Sequence, residues 1–241
     1  MTALESQAST ADFASEAHKV AAESKPRRII FNYLQLRLMV GIVAFTLPLI
    51  VKYRSSTPLT SISASYYTEA RDVFVGFLFI IASVFLAYNG YSKAEAWISK
   101  VGALAAIFAA LNPTACDACA SDVKSIIHGI AAFVLFASIV YFCLGPFSKA
   151  AKDKKDKALQ DGRQKDANEA QQRFVVYRIC GLLSAICMLA AVATKFIPVA
   201  AGRAMYVTYW AEYVSMWAFG IAWLVAGRVI TWVRGVITVK L

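Results

Sequence analysis

Charged residues are scarce in this chain. Of its 241 residues, 17% are charged and 59% are hydrophobic, and the mean hydropathy is +0.56. A soluble domain has about 25% charged and about 45–50% apolar residues. The composition therefore argues against an ordinary soluble domain and is typical of an integral membrane protein.

Recognisable catalytic motifs are also lacking. The sequence contains no G-x-S-x-G, no glycine-rich phosphate loop and no H-E-x-x-H. Its only histidines are His18 and His128, so a zinc site built from several histidines is excluded. From these absences we predict no catalytic residues, no metal site and no cofactor.

The start of the chain has no signal-peptide pattern. The first 26 residues lack a charged start, an apolar stretch and a cleavage site. We expect residues 1–28 to form a polar cytoplasmic tail, and the first apolar run after it to be retained as a helix.

Long apolar runs are abundant instead. A bilayer core of about 30 Å requires about 20 mostly apolar residues per helix. We predict an all-α integral membrane helical bundle with six transmembrane helices, at residues 30–51, 73–91, 97–112, 125–146, 174–197 and 205–227. The third run is short and rich in small residues, and a re-entrant segment there would leave five spans.

A charged segment divides the predicted membrane domain. Residues 29–146 hold the first four spans, and residues 174–241 hold the last two with a short tail. The linker between them, 147–173, mixes Lys with Asp and lacks an apolar stripe. We expect it to be a solvated cytoplasmic loop or a polar helix.

Lysine and arginine are distributed unevenly about the predicted spans. Most of the 25 lie in the N-terminal tail, the 92–100 loop, the 147–173 linker and the C-terminal end. With Arg37 and Arg178 they make 19 on the cytoplasmic side, and six lie on the opposite side, at Lys52, Arg54, Arg71, Lys124, Lys195 and Arg203. Because such asymmetry sets membrane orientation, both termini are predicted to be cytoplasmic. Because the basic residues serve to set this orientation, the positive net charge is accounted for and no nucleic-acid partner is expected.

Unusual polar residues collect on the predicted outer face. The stretch "SISASYYTEARD" precedes the second span, His128 begins the fourth, and Glu212 lies within the sixth. Arg71 could hold a carboxylate or phosphate through two hydrogen bonds, and Asp72 could cap the helix. Together they form a candidate ligand-binding set: Ser63, Tyr66, Tyr67, Arg71, Asp72, His128 and Glu212.

Glu212 is the strongest member of this set. It is the one acid in its apolar run, about 10 Å along the helix from Met205. A charge in the bilayer usually faces the bundle interior or a water-filled cavity and has a partner. The alternative is an internal salt bridge that only holds helices together.

Two cysteines lie close together outside the predicted membrane. Cys116 and Cys119 form a C-x-x-C pair just before a helix, as in thiol–disulfide catalysts. Asp117 and Asp122 disfavour the thiolate, and no second outer pair exists. A static disulfide between Cys116 and Cys119 is the favoured interpretation, with redox catalysis as the alternative.

Three segments resemble a known family. They are "SISASYYTEARDVFVGFLFIIASVFLAYNGY", "NPT" and "YWAEYVSMWAFGIAWLVAGR", with the histidine of the fourth span between the last two. Together they are similar to a family of uncharacterised bacterial multi-pass membrane proteins, over about residues 30–235 without the charged linker. The architecture is also distantly like that of the Frag1/DRAM/Sfk1 membrane proteins. The resemblance implies a six-helix fold, a bacterial inner (plasma) membrane location and, by analogy, lipid contact.

The sequence thus favours a membrane protein that binds a lipid headgroup or small ligand in an outer-face polar pocket. The expected partners are the bilayer and an anionic lipid held by Arg71. One alternative is an accessory subunit that binds another membrane protein or a second copy of itself. The other is a membrane enzyme, either a thiol oxidoreductase or a lipid-modifying enzyme using His128 and Glu212.

Overall fold

Seven α-helices form the described part of the chain. The computed structural model describes residues 33–115, 122–194, 196 and 201–227, and no strand occurs among them. The helices are α1 (Tyr33–Arg54), α2 (Arg71–Ala87), α3 (Lys93–Leu111), α4 (Val123–Phe142), α5 (Ser148–Gln160), α6 (Gln164–Ala193) and α7 (Ala201–Ala226). A 3-10 helix, Ser63–Tyr67, precedes α2. The all-α prediction is confirmed.

Four helical segments are long and apolar enough to cross a membrane. They are Gln35–Arg54, Lys93–Leu111, Val123–Gln160 and Gln164–Ala193. The third predicted span therefore belongs to a helix of sufficient length. The two helices outside this group are α2, which has 17 residues, and α7, which carries Glu212 among tyrosines and tryptophans. The count of six spans stays a prediction.

The linker 147–173 is helical rather than a loop. The helix α5 and the first turns of α6 form a hairpin closed at Asp161–Arg163, where Gly162 has a φ of +68°. Alanines line the contact between the two helices and are buried there: Ala151, Ala158, Ala167 and Ala170. The sequence prediction missed this stripe because alanine is only weakly hydrophobic, so its spacing does not stand out among the lysines and aspartates around it.

A π-helical turn joins α4 to α5 without ending the helix. It spans Cys143–Phe147 and contains Pro146, which has no backbone N–H to donate. A π-turn accommodates the missing hydrogen bond while the helix continues. The hydroxyl of Ser148 donates to the Cys143 carbonyl oxygen at 2.7 Å, so this buried acceptor is satisfied. The result is one helical path from Val123 to Gln160.

An aromatic cluster fills the half of the bundle next to the hairpin. The Trp223 side chain is fully buried and contacts five other rings, with centroids 5.4–5.9 Å away. These rings belong to Phe85, Tyr88, Phe142, Phe147 and Phe219. Edge-to-face and offset contacts of this kind each add about 0.5–1.5 kcal/mol beyond the burial of area.

Arg37 of α1 also points into this cluster. Its Nη2 donates to the Tyr88 hydroxyl at 2.9 Å, and its guanidinium lies 5.2 Å from the Phe147 ring centroid. A hydroxyl and aromatic faces within the bundle therefore replace water around the cation.

Helices α1 and α7 approach each other closely at two glycines. A Cβ added to Gly220 would lie 3.0 Å from the Gly41 carbonyl oxygen and 3.0 Å from the Phe45 nitrogen. A Cβ added to Gly41 would lie 2.7 Å from Leu224 Cγ. Small residues that let backbones approach are the usual means of packing helices in membranes, where lipid is as apolar as the side chains.

The turn between α2 and α3 contains a compact cap. Ser92 Oγ accepts a hydrogen bond from the Glu95 N–H at 3.2 Å, and Glu95 Oε2 accepts one from the Tyr91 N–H at 3.2 Å. This reciprocal arrangement satisfies backbone donors at the start of α3. The preceding residue, Gly90, has a φ of +62°, and the Glu95 side chain packs directly against it.

Candidate functional site

A cleft of about 940 Å³ opens between α4, α6 and α7 at the end of the bundle opposite the hairpin. Its walls are largely apolar and include Ile130, Phe133, Met188, Ala191 and Val192. Thr60, Ser61 and Thr114 line one end. This combination of apolar walls and a few polar groups is typical of sites for small molecules.

A second, smaller cavity of about 40 Å³ lies deeper, among α2, α3, α4 and α7. Its lining includes Phe74, Leu78, Leu135 and Phe219. Four residues line both spaces: His128, Ala132, Phe136 and Glu212. The polar pair His128 and Glu212 therefore lies at the boundary between the cleft and the bundle interior.

His128 is held in one orientation by α3. Asp122 caps α4 by accepting from the Ser125 N–H at 2.9 Å, which places His128 in the second turn with its side chain 3% exposed. Its Nδ1 lies 3.0 Å from the Ala109 carbonyl oxygen and 2.9 Å from that of Asn112. Both neighbours are acceptors, so in the neutral ring Nδ1 carries the proton.

The other ring nitrogen of His128 has no hydrogen-bond partner among the described residues. Nε2 is buried, and with the proton on Nδ1 it presents a lone pair. A buried acceptor without a donor costs about 1–3 kcal/mol. Because His128 lines both spaces, this nitrogen is the natural contact for a ligand that carries a hydrogen-bond donor.

Glu212 is anchored by the 3-10 helix. The Ser63 N–H donates to Oε2 at 3.0 Å, and the Ser63 hydroxyl donates to Oε1 at 3.4 Å. The side chain is half-buried and faces the two cavities, as expected of an acid in an apolar helix. Ser63, His128 and Glu212 of the predicted set are thus brought to one place.

The other four predicted residues lie elsewhere. Arg71 is exposed, and its guanidinium carbon is 4.7 Å from the centroid of the Tyr66 ring, with Nη2 donating to the Tyr66 hydroxyl at 3.3 Å. Tyr67 donates to the Thr114 carbonyl oxygen at 2.7 Å, which ties the 3-10 helix to the end of α3. None of Tyr66, Tyr67, Arg71 and Asp72 is among the described residues that line the cleft or the deeper cavity.

The capping role predicted for Asp72 is wrong. The N-cap of α2 is Ala70, without a side-chain hydrogen bond, and Asp72 is an exposed residue of the first turn. Its carboxylate still interacts favourably with the helix dipole there. The prediction failed because it placed the start of this helix after Asp72, whereas α2 begins at Arg71.

Sequence reasoning missed two polar residues of the cleft, Cys187 and Ser215. Cys187 lines the cleft from α6 and Ser215 lines it from α7. Ser215 follows Glu212 by three residues, so helical spacing could have placed it on the same face. Cys187 gave no comparable signal because a buried cysteine is usually a small apolar residue.

The predicted disulfide lies outside the described residues, because Cys116 and Cys119 both fall in the gap at 116–121. Within the described ranges, no group of three or more His, Cys, Asp and Glu side chains could hold a metal ion.

Hydrogen bonds fold the "SISASYYTEARD" stretch over the end of α1. The hydroxyls of Ser55 and Thr68 lie 3.0 Å apart, and the Ser56 hydroxyl donates to Glu69 Oε1 at 2.7 Å. The Ser61 hydroxyl oxygen accepts from the Ala64 N–H at 2.9 Å. This stretch therefore forms an ordered cover at the cleft end of the bundle.

One contact of the cover is predicted to depend on pH. The hydrogen bond from Ser56 lowers the pKa of Glu69 below its ordinary value of 4.5, with a smaller contribution from Arg54. A depressed pKa gives stability that is present above the ordinary value and is lost as the pH falls through the lowered one. We expect the unfolding temperature to fall less for Glu69→Gln than for the wild type between about pH 6 and about pH 3. Parallel temperature profiles would contradict this.

The four long apolar segments are consistent with a helical membrane protein. Neither a protein-family model nor a curated protein nor a solved structure matches it in the comparisons made. The resemblance stated above therefore stays a prediction, and the proposed function depends on the geometry of the cleft.

Proposed function

We propose that this protein is a six-span protein of a bacterial inner membrane, with both termini cytoplasmic, that binds an amphiphile in the cleft. The amphiphile is a lipid or a molecule of similar build, with its polar head at His128 and Glu212. The observation that carries the proposal is the buried Nε2 of His128, which has no hydrogen-bond partner among the described residues, in a side chain that lines an apolar cleft of about 940 Å³.

The shape and chemistry of the cleft support an amphiphile. Its volume falls in the range of about 300–1,000 Å³ that is usual for small-molecule sites. Exposed apolar side chains of α4, Ile126, Ile130 and Phe133, border the cleft. An apolar tail could therefore pass from the cleft to lipid while the head stays at the polar end.

Two features support six spans. The helix α2 has 17 residues, and at 1.5 Å per residue it is about 26 Å long, close to the bilayer core of about 30 Å. In α7, Glu212 faces the cleft and the cover rather than lipid. Its charge is thus compatible with a transmembrane helix.

In this binding mode the polar head does not contact Arg71. The sequence prediction used Arg71 as the cation for an anionic headgroup, but this guanidinium is stacked on Tyr66 and is not among the described residues lining the cleft. The acceptors at His128 and Glu212 replace it as the contacts for the head.

Filling the cleft tests the proposal. Gly129 lines the cleft and a Cβ added there has no atom within 4 Å, so we expect the side chain of Gly129→Trp to extend into the cleft. We expect native mass spectrometry in mild detergent to show a lipid-sized adduct on the wild type. We expect retention of that adduct to fall about tenfold in Gly129→Trp, equivalent to a loss of about 1.4 kcal/mol.

Gly76→Trp is the matched control. A Cβ at Gly76 also has no atom within 4 Å, but this residue of α2 does not line the cleft. The control should keep the adduct of the wild type. Equal adducts on all three proteins, or a wild type that carries only a partner protein, would contradict binding in the cleft.

A further inference from the structure

We infer that the ligand of the cleft is a lipid of the surrounding membrane, which enters sideways through a gap between α4 and α6 rather than from water past the cover. This inference rests on the proposed function and adds the source of its ligand and the route of entry. It depends on which walls of the cleft are exposed and on what surrounds them.

The α4 wall of the cleft is its exposed wall. Ile126 and Ile130 line the cleft and are 57% and 62% exposed, and Phe133 beside them is also exposed. The α7 wall is the opposite case, because Ala211 and Ser215 line the same cleft and are buried. The cleft is therefore open along α4 and closed at its back by α7.

The other side of the opening is α6, which diverges from α4 toward the cover. At the hairpin end the two helical paths cross closely, since a Cβ added to Gly181 would lie 2.5 Å from Leu144 Cδ2 and 3.0 Å from Cys143 Cβ. Beyond this crossing the cleft lies between them, and Met188 and Val192 line it from α6. The opening is thus a gap between two helices that are packed together at one end.

The bilayer is what surrounds this gap. Both of its helices belong to segments long and apolar enough to cross a membrane, Val123–Gln160 and Gln164–Ala193. Exposed apolar side chains in such segments contact acyl chains, because the bilayer core contains no water. The exposed side chains of the α4 wall therefore contact acyl chains on one side and the cleft on the other. A lipid that moves sideways through the gap keeps its chains in apolar surroundings.

The route from water past the cover is less favourable. The cover is tied to α7 by the hydrogen bonds from Ser63 to Glu212, and to α3 by the hydrogen bond from Tyr67 to Thr114. Passage there would break contacts of this kind and expose acyl chains to water, which raises the free energy with each CH₂ group exposed. Sideways entry leaves the cover in place.

Rates of lipid uptake and loss test the route. Protein that carries ordinary lipid is reconstituted into vesicles of phosphatidylethanolamine and phosphatidylglycerol in equal parts, both with deuterated acyl chains. Samples are extracted in mild detergent over time, and native mass spectrometry follows the loss of the light adduct. Protein from which lipid has been removed is treated in the same way, so that uptake of the heavy adduct is measured independently of loss.

Ile130→Trp places a larger side chain at the gap. We expect uptake and loss both to slow about tenfold, equivalent to about 1.4 kcal/mol added to the barrier of passage, because a narrower gap hinders both directions. Ile126→Trp repeats the test at the second isoleucine of the gap. The matched control is Ile179→Trp, since Ile179 of α6 is 57% exposed but does not line the cleft. Uptake at the wild-type rate in both variants of the gap would overturn the inference.

Tyr67→Phe tests the other route. It removes the hydroxyl that ties the cover to the Thr114 carbonyl oxygen and leaves the aromatic ring in place. We expect uptake and loss at the wild-type rates. Faster uptake than in the wild type would show that lipid passes the cover, and would overturn sideways entry while leaving binding in the cleft intact. A wild type that carries neither the light nor the heavy adduct would instead overturn the proposed function.

Discussion

Gly220→Val is expected to lower the stability of the folded protein more than any other substitution considered. At this crossing of α1 and α7 the added Cβ would lie 3.0 Å from two backbone atoms, the Gly41 carbonyl oxygen and the Phe45 nitrogen. Backbone atoms cannot move aside by changing a rotamer, so the two helices must separate. We expect a loss of about 3 kcal/mol, measured as a lower unfolding temperature and less monodisperse protein in detergent.

The control for this prediction is Gly76→Val. It makes the same chemical change in a helix, but a Cβ at Gly76 meets no atom within 4 Å. Its unfolding temperature should stay close to that of the wild type. If the two variants unfold alike, the close approach of α1 and α7 does not contribute to stability as described.

Gly90→Ala is expected to have the second largest effect on stability. A Cβ there would lie 2.5 Å from Glu95 Cβ and 2.6 Å from Glu95 Oε2, so the buried glutamate must leave its place. The cap that Ser92 and Glu95 form at the start of α3 would then be lost, at about 1 kcal/mol. The φ of +62° adds about 1–2 kcal/mol for a residue with a side chain.

Gly162→Ala separates these two causes. Gly162 also has a positive φ, +68°, but a Cβ there has no neighbour within 4 Å. Its unfolding temperature should fall by the backbone contribution alone, and that of Gly90→Ala should fall further. Equal decreases would show that contact with Glu95 contributes nothing.

The sequence predicted most of the helices because apolar runs report burial in lipid or protein directly. The first span, predicted at 30–51, corresponds to α1 at Tyr33–Arg54. The start of α6 was missed by ten residues, because Gln164 to Arg173 is polar and becomes helical through its contact with α5. Tertiary contacts of this kind leave little trace in hydropathy.

The candidate site was predictable in part. Glu212 was identified because a lone acid in an apolar helix must face something other than lipid. Arg71 was grouped with it because both residues were expected at the same end, but spacing along the chain cannot show that Arg71 turns onto Tyr66. The tautomer of His128 was likewise unpredictable, since it depends on carbonyl oxygens of another helix, α3.

The hairpin of α5 and α6 has a practical consequence for imaging. A chain of 26.3 kDa offers little contrast in electron micrographs, and a membrane protein without soluble domains is difficult to align. Here an unbroken helical path runs from Val123 to Gln160, and α6 returns from Gln164 into the membrane domain. A helical fusion partner spliced between Gln160 and Gln164 would replace a turn of three residues and join continuous helix at both ends. It would act as a rigid fiducial whose orientation reports that of the bundle.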